Sequence, residues 1–152
     1  MSIAEYLRER GVSFELRRHE EAYTAQEEAA AQHVSGSIFA KTVIVKAGEE
    51  FIMLVLPASH HADLEQAGAV LGQTVVLAHE KDLKQLFPDC ELGAEPPFGS
   101  LYKLRTLVDE SLGRHERIAL RAGSHTEVIL LAYGDYERLE QPQVARFAEL
   151  AE

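Results

Sequence analysis

At 152 residues the chain has the length of one domain, enough to bury roughly 70% of its unfolded surface without staples, and 46% hydrophobic with 26% charged residues excludes a disordered or fibrous chain. The net charge of −10 excludes a protein that coats nucleic-acid backbones through a broad basic surface, since such binding draws on Lys and Arg releasing counterions. Cys90 stands alone, so no internal disulfide forms. No basic segment leads into a long apolar run, so the expected home is the cytoplasm, and the apolar stretches are too short to span a bilayer.

In chain order, Ser2 with Glu5 forms a capping box, Ile3 and Leu7 share a face, and Gly11 closes a first short helix. Val12, Phe14 and Leu16 alternate with polar residues, the period-2 pattern of a half-buried strand. Thr24 and Glu27 make a second capping box ahead of an Ala-rich helix to His33, with Gly36 beyond its end. Two apolar runs, Lys41 to Lys46 and Phe51 to Leu56, flank Ala47-Gly48-Glu49-Glu50 and predict an antiparallel hairpin.

Ser59 is the expected cap of a helix to about Leu71, followed by a strand over Thr74 to Ala78 and a short helix over Glu80 to Leu86 that stops at Phe87-Pro88. Asp89 to Ser100 has no periodicity. Strand patterns return at Leu104 to Val108, Arg117 to Arg121 and Glu127 to Tyr133, and the tail from Asp135 to Leu150 reads as helix with a break at Pro142. Strands alternating with short helices predict one α/β domain over residues 1–152 with a mixed sheet.

Few residues carry chemistry. Lys41 opens its strand on the face of Val43 and Val45, whereas Lys46 lies on the face of Thr42 and Ile44. By position Lys41 is either a strand-end lysine whose stem lies on the core or a cation at a pocket mouth, able to hold a phosphate or polarise an ester carbonyl. Gly93-Ala94-Glu95-Pro96-Pro97-Phe98-Gly99 is either a surface turn or a rigid pocket wall in which Gly lets backbone approach a ligand. His125, after Gly123-Ser124, either caps a hairpin or donates a hydrogen bond near neutral pH. No Gly-x-Ser-x-Gly elbow accompanies Ser124. His60, His61 and Asp63 lack the spacing of a zinc site, and nothing basic flanks Cys90 to activate it.

Ala40-Lys41-Thr42-Val43-Ile44-Val45-Lys46, Val55-Leu56-Pro57-Ala58, Gly93 to Gly99, Val108-Asp109-Glu110-Ser111-Leu112 and Ala122-Gly123-Ser124-His125, in this order, resemble the YbaK/prolyl-tRNA editing family over nearly the whole chain. The resemblance implies a mixed, mostly antiparallel sheet surrounded by short helices, and hydrolysis of the ester of mischarged aminoacyl-tRNA, with a small amino acid on tRNA for proline as the expected substrate. It implies Lys41 and His125 as catalytic residues, a substrate pocket from Gly93, Pro96, Pro97, Phe98, Gly99, Gly123 and Ser124, and no cofactor or metal. The expected partner is the acceptor end of aminoacyl-tRNA, with prolyl-tRNA synthetase as the protein partner the resemblance allows, and neither DNA nor membrane. Against the acidic balance, phosphate contacts are expected from Lys41 with Lys103, Arg105 or Arg121. The competing readings are a silent module that binds the tRNA end or a synthetase, and a small-molecule ester hydrolase.

Overall fold

The computed structural model describes residues 2–18 and 35–151, and the expected helix from Thr24 to His33 lies outside them. Helix α1 (Ile3–Glu9) begins where the Ser2 hydroxyl accepts the Glu5 N–H at 3.1 Å and ends before Gly11 at φ +70°. It buries Ile3, Tyr6 and Leu7 against the core. Strand β1 (Phe14–Arg18) follows.

The predicted hairpin is β2 (Ala40–Ala47) with β3 (Glu50–Pro57), in register from Ala40↔Pro57 to Ala47↔Glu50. Gly48 at φ +62° takes the first of two loop positions, the place where hairpin turns favour glycine. Next come β4 (His60–Ala62), α2 (Leu64–Leu71), β5 (Val75–Leu77) and α3 (Glu80–Leu86). A 3-10 turn at Gly99–Tyr102 leads into β6 (Arg105–Asp109), and a second at Leu112–Arg114 into β7 (Arg117–Arg121). The chain ends with β8 (Glu127–Ala132), α4 (Tyr133–Glu140), β9 (Gln143–Ala145) and β10 (Ala148–Leu150).

Among the described residues the strands form a five-stranded sheet, β5-β2-β3-β6-β9, a three-stranded sheet, β1-β8-β7, and a β4-β10 ribbon. Among the named strands of the described residues, β3-β6 and β6-β9 pair in parallel and the other ladders are antiparallel. Mixed, mostly antiparallel pairing with four short helices among the described residues matches the expected class. The main core lies between the sheets and α1, where Ile44, Met53, Val55, Phe98, Ile118, Leu120 and Ile129 meet. The opposite face of the larger sheet carries Val45, Ile52, Leu54, Leu56 and Leu107 under Ala67 of α2 and Phe147.

Three sequence expectations are corrected. Asp63, not Ser59, caps α2: its carboxylate accepts the Glu65 and Gln66 N–H groups at 2.9 and 3.1 Å, because residues 60–62 are taken up by pairing with β10. Helix replaces strand from Tyr133 onward. The tail beyond Pro142 is β9 and β10 rather than helix. Asp109 holds it there, accepting the Phe147 and Ala148 N–H groups, each at 2.9 Å.

The two larger sheets meet at one place that matters for the site. The Ala119 N–H donates to the Ile38 carbonyl at 2.9 Å, and Phe39 bridges Ala119 in parallel. Lys41 in β2 and Arg121 at the end of β7 each lie two residues beyond that isolated bridge.

Candidate active site

Lys41 lies half-buried at the start of β2, and burial lowers its pKa below the ordinary lysine value of 10.5. A cation kept half-buried is an attractive seat for a developing negative charge. If the ammonium acts on substrate, hydrolysis falls on the alkaline side as Lys41 deprotonates. We predict that the midpoint of that fall, after subtraction of uncatalysed ester loss, lies below pH 10.5, and that an active Lys41→Arg protein shows no such fall.

The loop from Glu91 and the segment from Arg121 to His125 are stitched together. The Glu91 N–H donates to the Gly123 carbonyl at 2.8 Å, and the Gly123 N–H to the Ala94 carbonyl at 3.0 Å. Gly93 takes φ +86° and Gly123 φ +98°, backbone that L side chains rarely adopt, so glycine is required at both. The Gly93 N–H donates to Glu95 Oε2 at 2.7 Å, and Arg121 Nη1 donates to the Gly93 carbonyl.

His125 is buried, with 3% of its surface exposed. Its Nε2 lies 2.7 Å from the Leu92 carbonyl, an acceptor only, so Nε2 carries the proton and donates it there. The His125 backbone N–H donates to Glu91 Oε2 at 3.1 Å. Both contacts bind the histidine to the loop.

Pro96, Gly123 and Ser124 line a cavity of about 390 Å³ with Ser2, Cys90 and Tyr102. The Ser124 hydroxyl is 3.1 Å from that of Thr126. Other expected pocket residues lie elsewhere. Pro97 is buried and its carbonyl accepts the Tyr136 hydroxyl at 2.8 Å. Phe98 has no exposure. Its ring packs edge-on between Tyr6 and Tyr136, at 5.7 and 5.3 Å between centroids, so it anchors the loop in the core rather than facing a ligand. Gly99 serves close packing, since a Cβ there would come within 2.3 Å of Thr106 Oγ1. Glu140 fixes the following turn by accepting the Ser100 N–H and hydroxyl and the Thr106 hydroxyl.

Two of the basic residues expected to meet phosphate are engaged within the protein. Arg121 is buried with 7% exposure and holds Gly93, and Arg105 reaches Glu50 at 3.1 Å. Sequence patterns alone do not single out the contacts of Glu95 and Arg121 with Gly93. The available signal was an acidic residue set between Gly and Pro-Pro in an otherwise apolar loop.

Burial pushes the Cys90 thiol up to about 12, against a lowering contribution from the Tyr102 hydroxyl 3.3 Å away. A thiol so rarely ionised is a poor nucleophile. Cys90→Ala is therefore expected to keep the rate within about twofold, and a neutral-pH thiol reagent to label the native protein slowly. Activity abolished in a folded Cys90→Ala protein would reverse this. Among the described residues no group of three His, Cys, Asp or Glu side chains is arranged to hold a metal ion.

Two crystal structures share this architecture. Hypothetical protein APE2540 superposes with a TM-score of 0.88 at 21% identity, covering 97% of this chain and 99% of the other. A protein described as a candidate trans-editing enzyme for prolyl tRNA synthetase superposes with a TM-score of 0.83 at 19% identity, over 97% and 94% of the two chains. At these identities they establish the fold alone. The family model of the aminoacyl-tRNA editing domain matches residues 19–139, and the chain belongs to that family. Multifunctional Ser/Thr-tRNA deacylase ProXp-y of Escherichia coli strain K12 is 33% identical over 104 residues, which make up 67% of this chain and 62% of the relative. The match thus spans less than two thirds of that relative's length.

Proposed function

We propose that this protein hydrolyses the ester bond of mischarged aminoacyl-tRNA, releasing a small amino acid, with tRNA for proline as the carrier. The whole chain acts as one editing domain in the cytoplasm. Membership of the editing family and the deacylase named in Escherichia coli support the chemistry. The observation that carries it is the half-buried Lys41 ammonium on the strand that meets, at the Phe39↔Ala119 bridge, the strand whose Arg121 holds the Gly93 carbonyl.

The ester is already activated by the neighbouring ammonium and ribose, so positioning and charge stabilisation suffice. Lys41 anchors the terminal phosphate or the developing oxyanion, the Gly93 and Gly123 backbones shape the pocket, and water attacks the carbonyl carbon. As the ester C–O bond breaks, the leaving ribose oxygen takes up the proton that the attacking water gives up, and the amino acid departs. His125 braces the loop from behind through Leu92.

The test is multiple turnover. Catalytic amounts of protein are incubated with a panel of tRNAs charged with Ser, Thr, Ala, Cys or the cognate amino acid, and free amino acid is counted. We expect many equivalents released from a mischarged species and few from the cognate one. Binding without release would instead identify a tRNA-end module, and equal turnover of a simple amino acid ester would identify a small-molecule hydrolase. A pull-down with prolyl-tRNA synthetase tests the protein partner.

Net charge sets a second expectation. With Lys41 and Lys103 left as the expected phosphate contacts, log affinity falls against log salt with a slope of about −1.4 to −1.8, the same for tRNA and a short acceptor-stem mimic. A slope steeper than about −6, lost with the mimic, would reveal a broad basic surface and overturn end recognition.

A further inference from the structure

Glu95 and Arg121 are both ionisable and both 7% exposed, although the glycine they hold is exposed. A charge leaves water at a penalty unless protein groups replace the lost solvation. Here the replacement includes the two peptide groups flanking one residue. Glu95 Oε2 accepts the Gly93 N–H at 2.7 Å, and Arg121 Nη1 donates to the Gly93 carbonyl. Burial raises the Glu95 pKa, while the N–H groups of Gly93, Glu95 and Ala94, with the positive charge of Arg121, counter that rise.

An exposed glycine needs neither side chain to satisfy its polar groups, because water would do so. What water cannot supply is orientation. Gly93 has the widest conformational freedom of any residue type, and its φ of +86° is one of several wells open to it. Two groups fixed in the protein, one on each side, remove that freedom. The second observation is the junction of the two sheets: Lys41 in β2 and Arg121 at the end of β7 each lie two residues beyond the Phe39↔Ala119 bridge. The guanidinium thus ties the glycine to the strand that adjoins Lys41.

We propose that Glu95 and Arg121 are positioning residues that clamp the Gly93 peptide groups in one orientation relative to Lys41, so that pocket wall and cation present a single geometry to the scissile ester. The ester rests on the deacylase reading; the clamp itself does not. Loss of orientation reduces the fraction of bound substrate in reactive geometry and so lowers kcat more than it raises KM.

The experiment compares Glu95→Gln, Glu95→Asp and Arg121→Met with the unaltered protein. Readouts are kcat and KM on mischarged tRNA, melting temperature, and the exchange rate of the Gly93 amide by NMR. Gln keeps an oxygen at the right reach for the Gly93 N–H, whereas Asp keeps the charge and falls one methylene short. We expect Glu95→Asp and Arg121→Met to lose about tenfold or more in kcat with KM within about threefold, and Glu95→Gln to retain most of the rate. Gly93 amide exchange should quicken at least about tenfold in Glu95→Asp but not in Glu95→Gln. Because both side chains act on one glycine, the Glu95→Asp, Arg121→Met double variant should lose little more than the worse single one.

Wild-type kcat in folded Glu95→Asp and Arg121→Met, Gln behaving worse than Asp, or fully multiplied losses in the double variant would overturn the proposal. An unaltered protein that releases no amino acid from any charged tRNA would overturn the deacylase reading instead. The clamp is then decided by Gly93 exchange alone: equal exchange in the unaltered and Asp proteins would refute it.

Discussion

Replacing Lys41 with alanine is expected to lower the rate of amino acid release by at least about tenfold while leaving the fold intact. The physical reason is the loss of one contact that strengthens as charge develops on the ester, and a contact worth about 1.4 kcal/mol in the transition state already gives a factor of ten. The fold survives because burial disfavours the charged ammonium, so its removal relieves a penalty; the stem loses some packing against its strand neighbours. Lys46 is the control. It lies on the opposite face of β2, 5.4 Å over the Phe51 ring, and Lys46→Ala should leave the rate near that of the unaltered protein. A folded Lys41→Ala protein with unchanged kcat/KM would remove Lys41 from the chemistry.

Asp109→Ala is expected to destabilise the fold by about 3 kcal/mol, or roughly 6–12 °C in Tm for a chain of this size. Its two carboxylate oxygens accept the N–H groups of Phe147, Ala148 and Ser111 and the Ser111 hydroxyl. Alanine leaves these donors without their partner in a place where Asp109 itself is 2% exposed. Asp109→Asn keeps one acceptor oxygen and should lose about half as much. The pH dependence has a definite sign. Burial pushes the carboxyl up, but the hydrogen bonds from Phe147, Ser111 and Ala148 prevail and hold it below the ordinary 3.8. The native state therefore favours the ionised form, and its contribution is present above that value and lost as pH falls through the folded pKa. Thermal melts of both variants across neutral and acidic pH check this, and an Asp109→Ala protein as stable as the unaltered one would refute it.

Where the signals are local, the sequence was enough. Ser2 with Glu5 marks α1, Gly48 marks the β2-β3 turn, and alternation along β2 sets Lys41 apart from Lys46. Where the deciding contact is distant, it was not. Gln143–Ala145 and Ala148–Leu150 are three residues each, too short to show a period, and their state is set by β6, β4 and Asp109. Ser59 and Asp63 are both able caps, and the choice between them falls to the pairing of β4 with β10. Likewise Phe98 reads from composition as a loop residue, yet Tyr6 and Tyr136 from the two ends of the chain close around it. Glu95 and Arg121 form a clamp only because the chain between Gly93 and Arg121, 28 positions apart, returns the guanidinium to the glycine.

The pairing of β1 with β8 also bears on how the protein is made. Arg18 and Glu127, which face one another across that ladder, are 109 residues apart in the chain. A ribosome delivers the first of these strands long before the second, so β1 emerges without the neighbour that satisfies its backbone, and the three-stranded sheet has to wait for nearly the whole chain. Until then Phe14 and Leu16 lack the strand against which they finally pack. The β2-β3 hairpin, closed by two residues, needs no such delay and is the natural early nucleus. The order of synthesis thus places the strand that carries Lys41 among the first parts able to fold, and leaves the sheet that brings Arg121 to Gly93 among the last.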